Sequence, residues 1–250
     1  MEVFVVDGLP EIREGDDLAA QIAERVDLID GDVVCVASTV VSKAEGRKAD
    51  LEEFSPGARA AAIAERLERI TGETKDPRFA QAVLEESEEL LLEAPFLLAV
   101  TRFGHVTVNA GVDRSNVPDA DLLLLPENPG ASAKSLSERL GVPVVVTDTS
   151  GRPFRYGQRG VAIGWGGMAA ARDWRGERDR DGRELDVTVQ AVVDELAAAS
   201  NLVAGEGGGG TPVVVVRGWS FGDHGESDEL FRTEDDDLVR QALRAWEFDG

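Results

Sequence analysis

The sequence predicts an α+β fold, and three observations support that class. Short apolar runs rich in β-branched residues predict strands, and amphipathic stretches with helix-start signals predict helices. These segments are intermixed along the chain without the regular strand–helix–strand rhythm of a parallel α/β sheet. The chain has 250 residues, of which 42% are hydrophobic, so it is long enough to bury a sizeable core.

In the first 95 residues, two apolar runs predict strands and three amphipathic stretches predict helices. Asp16 or Asp17 can cap the first helix, whose apolar face runs from Leu18 to Ile29. Pro56 and Pro77 stand at positions that the first turn of a helix tolerates. The predicted strands are 3–6 and 33–41, and the predicted helices are 17–29, 55–70 and 76–92.

The remainder of the chain continues with short strands, two clear helices and polar loops. Phe103-Gly104 predicts the turn of a hairpin between 96–101 and 106–109. Further strands are expected at 122–125, 142–147 and 213–216, helices at 132–140 and 188–203, and a polar loop at 148–160. An acidic surface segment, 222–237, is followed by a short amphipathic helix that ends near Trp246.

The charge balance excludes some partners and favours others. Asp and Glu total 48 against 26 Lys and Arg, which gives a net charge of −22. This excess disfavours nucleic acid and anionic membrane surfaces as partners, because their phosphates would be repelled. An acidic surface with few lysines favours a cytoplasm at high salt, where charges are screened beyond about 3 Å at molar ionic strength. An ordinary acidic cytosolic protein is the alternative.

Cysteine content and hydropathy exclude further classes of protein. Cys35 is the only cysteine, so an intrachain disulfide and a cysteine-based metal cluster are excluded. The N-terminal residues lack the pattern of a signal peptide, and no apolar run approaches the ~20 residues that span a bilayer. We therefore expect a soluble cytoplasmic protein.

Three polar segments follow apolar strands and are the candidate sites. Asp148 and Thr149 end the strand 142–147, and a neighbouring carboxylate and hydroxyl suit a hard cation such as Mg²⁺ or Mn²⁺. Arg152 and Arg155 follow them and can bind a phosphate or carboxylate. The alternative is that Asp148 only begins a turn.

The other two polar segments contain further candidate ligands. Asp113 is a second possible metal ligand, and Asn116 can bind a base or sugar edge, although an Asx turn is favoured when this loop is considered alone. The presence of two such loops favours a shared metal–phosphate site. Lys43 follows the strand 33–41 and is one of only four lysines, which favours a point charge for a phosphate over a solvated side chain.

Glycine-rich segments require more caution. The run 205–210 fits G-x-G-x-x-G, but it follows a helix and precedes a strand, which is the reverse of a dinucleotide-binding motif. Its amides can still surround a phosphate, and Glu206 can reach a metal, whereas a flexible linker is the alternative. No G-x-x-x-x-G-K-[ST] motif is present, which excludes an ordinary P-loop.

Taken together, these loops resemble those of the coenzyme F420-0:L-glutamate ligases, also called F420-0:γ-glutamyl ligases. The similarity covers most of residues 1–220 in the same order, and its most specific motifs are DTSGRPFRYGQ and NAGVDRSN. Other matching motifs are GLPEIREGDDL, VSKAEGR, LLLLPENPGASA and GRELDVTVQAVVDELAAASNLVAGE. The nitroreductase-like extension of some relatives has no counterpart in residues 1–250.

The resemblance implies a GTP-dependent ligase that adds L-glutamate to F420-0 and then adds a second glutamate through the γ-carboxyl. It also implies a single ligase unit over 1–250, built from two intermixed α+β subdomains and forming an intertwined homodimer. GTP, two divalent cations (Mg²⁺ or Mn²⁺) and a monovalent cation (K⁺) are the implied cofactors. The alternatives are a related amide ligase with another acceptor and a non-catalytic GTP-binding protein.

The resemblance also assigns roles to individual residues. Lys43 and Arg152 are expected to assist catalysis. Asp113 and Asp148 are expected to bind one divalent ion, and Thr149 and Glu206 are expected to bind the other. The nucleotide-binding residues that it implies are Leu9, Pro10, Glu11, Ile12, Ser38, Thr39, Lys43, Asn116, Ala204, Gly205, Glu206, Gly207, Gly208, Gly209, Gly210 and Thr211.

Overall fold

A computed structural model describes residues 1–114 and 117–246 of the chain. These residues form two compact units, the first from residues 1–45 and 128–230, the second from 46–127 and 231–246. Helices and strands are intermixed in both units, which confirms the predicted α+β class.

The elements are numbered along the chain. The helices are α1 (Leu18–Ala23), α2 (Ser38–Ala44), α3 (Ala58–Thr71), α4 (Pro77–Glu86), α5 (Pro129–Leu140), α6 (Val192–Ala204) and α7 (Leu238–Arg244). The strands are β1 (Glu2–Val5), β2 (Val33–Ala37), β3 (Lys48–Ala49), β4 (Ser87–Leu92), β5 (Leu98–Thr101), β6 (Val106–Val108), β7 (Leu122–Leu123), β8 (Val144–Arg152), β9 (Arg155–Gly166), β10 (Ala171–Asp173), β11 (Val189–Gln190), β12 (Val213–Arg217) and β13 (Gly225–Ser227).

A five-stranded sheet in the order β1–β12–β2–β8–β9 forms the centre of the first unit. Strands β2 and β8 run parallel, and the other neighbours are antiparallel. Strands β12 and β2 consist mainly of buried valines, and β8 begins with three more, as expected for strand segments that are covered on both faces. A smaller sheet, β11–β10–β13, belongs to the same unit.

Glycines allow helices to pack closely against both faces of β9. A Cβ at Gly164 would lie 2.3 Å from the backbone of Pro129 in α5, and one at Gly160 would lie 2.3 Å from the carbonyl oxygen of Ala197 in α6. Gly160 and Gly164 are four residues apart, so in a regular strand they would face the same side of the sheet, yet they meet helices on opposite faces. The reason is a β-bulge, since Val146 pairs with Gly164 whereas the next residue, Thr147, pairs with Ala162.

The bulge leaves a backbone amide that the ladder does not use, and α6 supplies its partner. The amide of Ala162 donates a hydrogen bond to Asp194 Oδ1 at 2.9 Å. Asp194 lies in the first turn of α6, where a carboxylate is also favoured by the helix dipole. The start of α6 is thereby fixed to the sheet at the bulge.

The second unit contains a three-stranded sheet, β4–β5–β6, and the short pair β3–β7. Helices α3 and α4 pack with these strands around Ile63, Val83 and Leu97. Helix α7 is fixed to β4 by ion pairs from Arg240 and Arg244 to Glu89, and these arginines, Arg244 first, hold the pKa of that carboxyl below its usual value.

Three sequence predictions about helix and strand boundaries were wrong. The predicted strand 33–41 ends at Ala37, and Ser38–Ala44 is helical despite its adjacent valines, because packing overrides the β-propensity of this segment. The first helix, capped by Asp17 as predicted, stops at Ala23 rather than Ile29. The helix predicted at 76–92 stops at Glu86, and Ser87–Leu92 is strand β4.

The polar segment 148–160 was predicted as a loop and is instead a β-hairpin. Strands β8 and β9 continue the ladder through it, with Arg152 opposite Arg155 at the turn. Most of its residues are polar or glycine and most are exposed, so the apolar alternation that marks a half-buried strand is absent. Among the residues that the structure describes, no helix has the length and apolar character needed to cross a membrane.

Replacing Gly164 tests the close packing of α5 on β9. Gly164→Ala places its Cβ against the backbone of Pro129, which cannot move without shifting the helix. We expect a loss of about 1–3 kcal/mol in the free energy of unfolding, as for other overpacked sites. Urea unfolding at molar salt measures it. Gly151→Ala is the control, because a Cβ there meets nothing within 4 Å, and equal stability of the two variants would contradict the packing argument.

A buried ion pair predicts a pH-dependent contribution to stability. The Asp32 carboxylate is fully buried and accepts hydrogen bonds from Arg217 Nε at 2.9 Å and Nη2 at 2.7 Å. The Arg217 guanidinium holds the pKa of Asp32 below its ordinary value. A carboxyl group with a lowered folded-state pKa contributes stability above its unfolded pKa, and this contribution is lost as the pH falls through the folded pKa.

We therefore expect Asp32→Asn to cost about 2 kcal/mol near neutral pH, as for hydrogen bonds to charged groups. The difference from the parent should shrink below about pH 4, where Asp32 in the unfolded chain becomes protonated. Urea unfolding from pH 7 to pH 3 measures this, with the exposed Asp30→Asn as control. A difference that stays constant with pH would count against the ion pair.

Candidate functional site

The carboxyl ends of the parallel strands β2 and β8 bring two predicted site residues together. Ala37 pairs with Thr147, so the next residues along each strand, Ser38 and Asp148, meet at the same edge of the sheet. Ser38 begins α2, is buried, and donates a hydrogen bond from Oγ to Asp148 Oδ1 at 3.2 Å. Asp148 is therefore held by rigid secondary structure.

Asp148 and Thr149 are neighbours in sequence but do not share one site. Both lie within β8, and successive side chains of a strand point to opposite faces of the sheet. Asp148 meets Ser38, whereas Thr149 Oγ1 donates to Glu206 Oε2 at 3.2 Å after α6. The expectation that adjacent side chains jointly hold one cation is corrected, while the assignment of Asp148 and Thr149 to different ions fits this arrangement.

Glu206 lies in the glycine-rich loop, where two side chains hold its carboxylate. Besides Thr149, Asn201 in the last turns of α6 donates from Nδ2 to Glu206 Oε1 at 2.9 Å. Thr211 closes the loop by donating from Oγ1 to the carbonyl oxygen of Ala204 at 3.0 Å. The loop is therefore a closed turn between α6 and β12.

The glycines of this loop differ in what the fold requires of them. Gly210 has φ +64°, a conformation that favours glycine. A Cβ at Gly207 or Gly208 would meet nothing within 4 Å, and the backbone of neither needs a positive φ. The described fold thus gives no steric reason for glycine at these two positions, which leaves their exposed backbone open to a ligand.

Lys43 lies on α2 and is the buried cation of this region. Its side chain is 8% exposed, and its Nζ lies 2.5 Å from Glu11 Oε1. Glu11 itself is 64% exposed, and it follows the half-buried Leu9 and the exposed Pro10. The structure thus brings the predicted segment Leu9–Ile12 to the predicted lysine, a contact that the sequence did not indicate.

Arg152 lies at the turn of the β8–β9 hairpin. It is four residues beyond Asp148, or about 13 Å along an extended strand. Its Nη1 donates to the carbonyl oxygen of Gly157 at 3.2 Å within the hairpin. A catalytic role for Arg152 stays a prediction.

Asp113 and Asn116 were predicted from the segment NAGVDRSN. Asp113 belongs to the second unit, where its backbone pairs with Leu123 and its Oδ1 accepts a hydrogen bond from the amide of Arg114 at 2.7 Å. Asn116 lies outside the described residues. The roles of both residues stay predictions.

The first unit contains two groups of oxygen ligands, and each of them suits a hard divalent cation. Asp148, Ser38, Thr149 and Glu206 offer only oxygen atoms, which Mg²⁺ and Mn²⁺ prefer. Within the described ranges, no group of three or more His, Cys, Asp or Glu side chains could hold a metal. The residues therefore fit ions that one or two carboxylates hold and that substrate phosphates and waters complete, which is the usual mode of Mg²⁺.

Asn201 is the functional candidate that sequence reasoning missed. The sequence could have indicated it, since Asn201 carries a side-chain amide, lies near the end of a predicted helix and precedes Glu206 by five residues. The contact depends on how α6 ends, because the amide of its C-cap residue, Gly205, donates to the carbonyl oxygen of Asn201 at 2.9 Å.

Comparisons with known proteins agree on one family of ligases. Residues 8–218 match the sequence model of a family described as F420-0:Gamma-glutamyl ligase. A protein of Natronomonas pharaonis named coenzyme F420:L-glutamate ligase is 77% identical over 250 residues, covering 100% of this chain and 99% of its own. Proteins with the same name from Halorubrum lacusprofundi and Archaeoglobus fulgidus are 70% and 52% identical, covering 100% and 98% of both chains.

Proposed function

The chain belongs to the F420-0:gamma-glutamyl ligase family and is an amino-acid ligase, and we propose that it joins L-glutamate to coenzyme F420-0 at the expense of GTP. The observation that carries this proposal is the match to relatives named as such ligases over the whole chain. The oxygen-rich groups at Asp148 and Glu206 support it, because they suit the cations that accompany a nucleoside triphosphate.

Joining a carboxylate to an amine in water is unfavourable, so in the proposed chemistry the carboxylate is first activated. The γ-phosphoryl group of GTP passes to an oxygen of the acceptor carboxylate, giving an acyl phosphate and GDP. The amine of glutamate then attacks the carbonyl carbon, the amide bond forms, phosphate leaves, and the amine loses a proton. A second round on the γ-carboxyl of the first product would add a second glutamate.

Such chemistry depends on positioning and charge neutralisation more than on a protein nucleophile. We propose that Lys43 binds a phosphate group, since it is a buried point charge beside the predicted nucleotide segment. Arg152 would bind a second anionic group at the hairpin. The glycine-rich loop from Ala204 to Thr211 would lie against the nucleotide.

The proposed ion ligands are those that the resemblance implies. Asp113 and Asp148 would hold one divalent cation, and Thr149 and Glu206 the other. These cations would neutralise phosphate charge during transfer. We also propose a monovalent cation such as K⁺, which the resemblance implies, and a cytoplasmic location.

The decisive experiment measures the mass of the product. Purified protein with GTP, Mn²⁺ or Mg²⁺, glutamate and F420-0 is expected to give a product heavier by one glutamate, with stoichiometric GDP. Asp148→Asn keeps the size of the side chain and an acceptor for Ser38 but removes the charge that holds a cation. We expect at least a ~10²-fold lower rate, since each 1.36 kcal/mol of lost transition-state stabilisation is tenfold.

The controls for this assay separate the rival functions. Asp30→Asn removes an exposed carboxylate from a turn of the first unit and should turn over at the parent rate. GTP binding without any mass gain would support a non-catalytic GTP-binding protein. Mass gain only with another acceptor would support a related amide ligase, and a near-parent rate of Asp148→Asn would show that the ion assignment is wrong.

We also propose that the enzyme is a homodimer whose β8–β9 hairpin contacts the second copy. Phe154 and Tyr156 at its turn are fully exposed, and Arg152, Arg155 and Arg159 lie close to them in sequence. No Asp or Glu occurs from residue 149 to residue 172, whereas the chain carries a net charge of −22. A basic, aromatic projection is complementary to an acidic surface, which a second copy of this chain supplies.

Removing the two aromatic rings tests this contact. Light scattering is expected to give about twice 26.8 kDa for the parent. The double variant Phe154→Ser with Tyr156→Ser should shift towards the monomer, because burial of each ring is worth about 1.5–3 kcal/mol. Val187→Ser, which also removes an exposed apolar side chain, is the control. A monomeric parent would contradict the dimer, and a dimeric double variant would contradict the role of the hairpin.

A further inference from the structure

We propose that Asn201 is a positioning residue that fixes the Glu206 carboxylate for a divalent cation, an inference that rests on the proposed ligase function. Asn201 Nδ2 donates to Glu206 Oε1 at 2.9 Å, and Thr149 Oγ1 donates to Glu206 Oε2 at 3.2 Å. The carboxylate is thus held from two sides, by a side chain of α6 and by one of β8.

Asn201 is a rigid support because its backbone is fixed on two sides. The last turns of α6 pack on β9 at Gly160, where a Cβ would lie only 3.0 Å from Asn201 Cβ. The carbonyl oxygen of Asn201 accepts a hydrogen bond from the amide of Gly205 at 2.9 Å. The short Asn side chain then transmits this fixed position to Glu206.

Glu206 needs such a support because of the loop that carries it. Gly207 and Gly208 follow it, and a Cβ built on either would meet nothing within 4 Å, so no side-chain packing restricts the loop there. Ordering a glutamate side chain on a glycine-rich segment costs conformational entropy. The hydrogen bond from Asn201 restricts the carboxylate before a cation binds, which lowers the entropic cost of binding.

The chemistry of the amide suits this role. An ionised carboxylate has about four lone-pair sites, and Asn201 occupies one of them on Oε1. Thr149 and Glu206 would both offer oxygen lone pairs to a cation, in which case the Thr149 hydroxyl would no longer donate to Glu206, whereas Asn201 would still hold Oε1. A neutral amide orients the carboxylate without cancelling its charge, whereas Lys or Arg at this position would compete with the cation.

The test measures Mn²⁺ binding directly, in protein without GTP or acceptor. Electron paramagnetic resonance counts free Mn²⁺ during a titration, and Glu206→Gln identifies the site by the binding that it removes. Asn201→Ala is expected to weaken that binding about 10-fold, within the range found when outer-shell partners of metal ligands are removed. Asn201→Gln keeps the amide donor and should stay within about threefold of the parent, a smaller loss than that range.

A matched control and a second readout separate positioning from a general structural effect. Leu202→Ala changes the next residue, which is 86% exposed, and should leave Mn²⁺ binding unchanged. In the metal-free protein, hydrogen exchange of residues 205–211 should speed up in Asn201→Ala, while its melting temperature stays at the parent value. In turnover, the Mn²⁺ concentration for half-activation should rise about 10-fold, with the saturated rate within about twofold.

The outcomes distinguish this proposal from the proposed function. Parent-like Mn²⁺ binding in Asn201→Ala, with binding lost in Glu206→Gln, would overturn the role of Asn201 and leave the ligase intact. Equal weakening in Asn201→Ala and Asn201→Gln would also overturn it, because the amide donor would then be irrelevant. Absence of ligase activity, with the expected pattern of Mn²⁺ binding, would overturn the proposed function and leave this inference standing.

Discussion

The close packing of α5 and α6 on opposite faces of β9 is the constraint on which the first unit depends. Both helices approach the strand so closely that no side chain fits at Gly164 or at Gly160. Because of the bulge opposite Val146 and Thr147, Gly160 and Gly164 lie on opposite faces of the sheet although they are four residues apart. Asp194 then satisfies the amide that the bulge frees. Without this local break in the ladder, one of the two helices would meet side chains instead of open backbone.

The same constraint determines where the candidate ligands lie. Strand β8 pairs with β9 through the bulge and is then in regular register from Thr147 to Ser150, so Asp148 and Thr149 keep alternating faces. The face of α2 supplies Ser38 to Asp148, and the end of α6 supplies the support for Glu206 beside Thr149. One of these carboxylates is carried by a strand and the other by a glycine-rich loop. The first is positioned by the fold itself, whereas the second requires additional hydrogen bonds.

The sequence predicted what depends on local patterns and missed what depends on pairing. The α+β class, the strand before Asp148 and the Asp17 cap followed from apolar runs and capping residues. The β8–β9 hairpin was missed because its exposed strands lack apolar alternation, and α2 was missed because its valines favour a strand. The Lys43–Glu11 pair joins segments 32 residues apart, whose proximity only the folded chain defines. The Asn201–Glu206 pair is local in sequence, but its contact depends on how α6 ends. The bulge, which explains why Gly160 and Gly164 meet helices on opposite faces, has no sequence signature of its own.

The distribution of charge fits the proposed substrates better than the total charge does. A chain with a net charge of −22 repels GTP and glutamate at long range, and molar salt screens that repulsion beyond about 3 Å. Screening cannot remove repulsion at contact distance, so a carboxylate beside these anions has to be paired with a cation, as Glu11 is with Lys43. The segment from Thr149 to Arg172 contains no carboxylate, although Asp and Glu make up 48 of 250 residues. The stretch from Thr149 to Arg172, which carries arginines and no carboxylate, is therefore locally much less repulsive to anionic substrates than the net charge of the chain suggests.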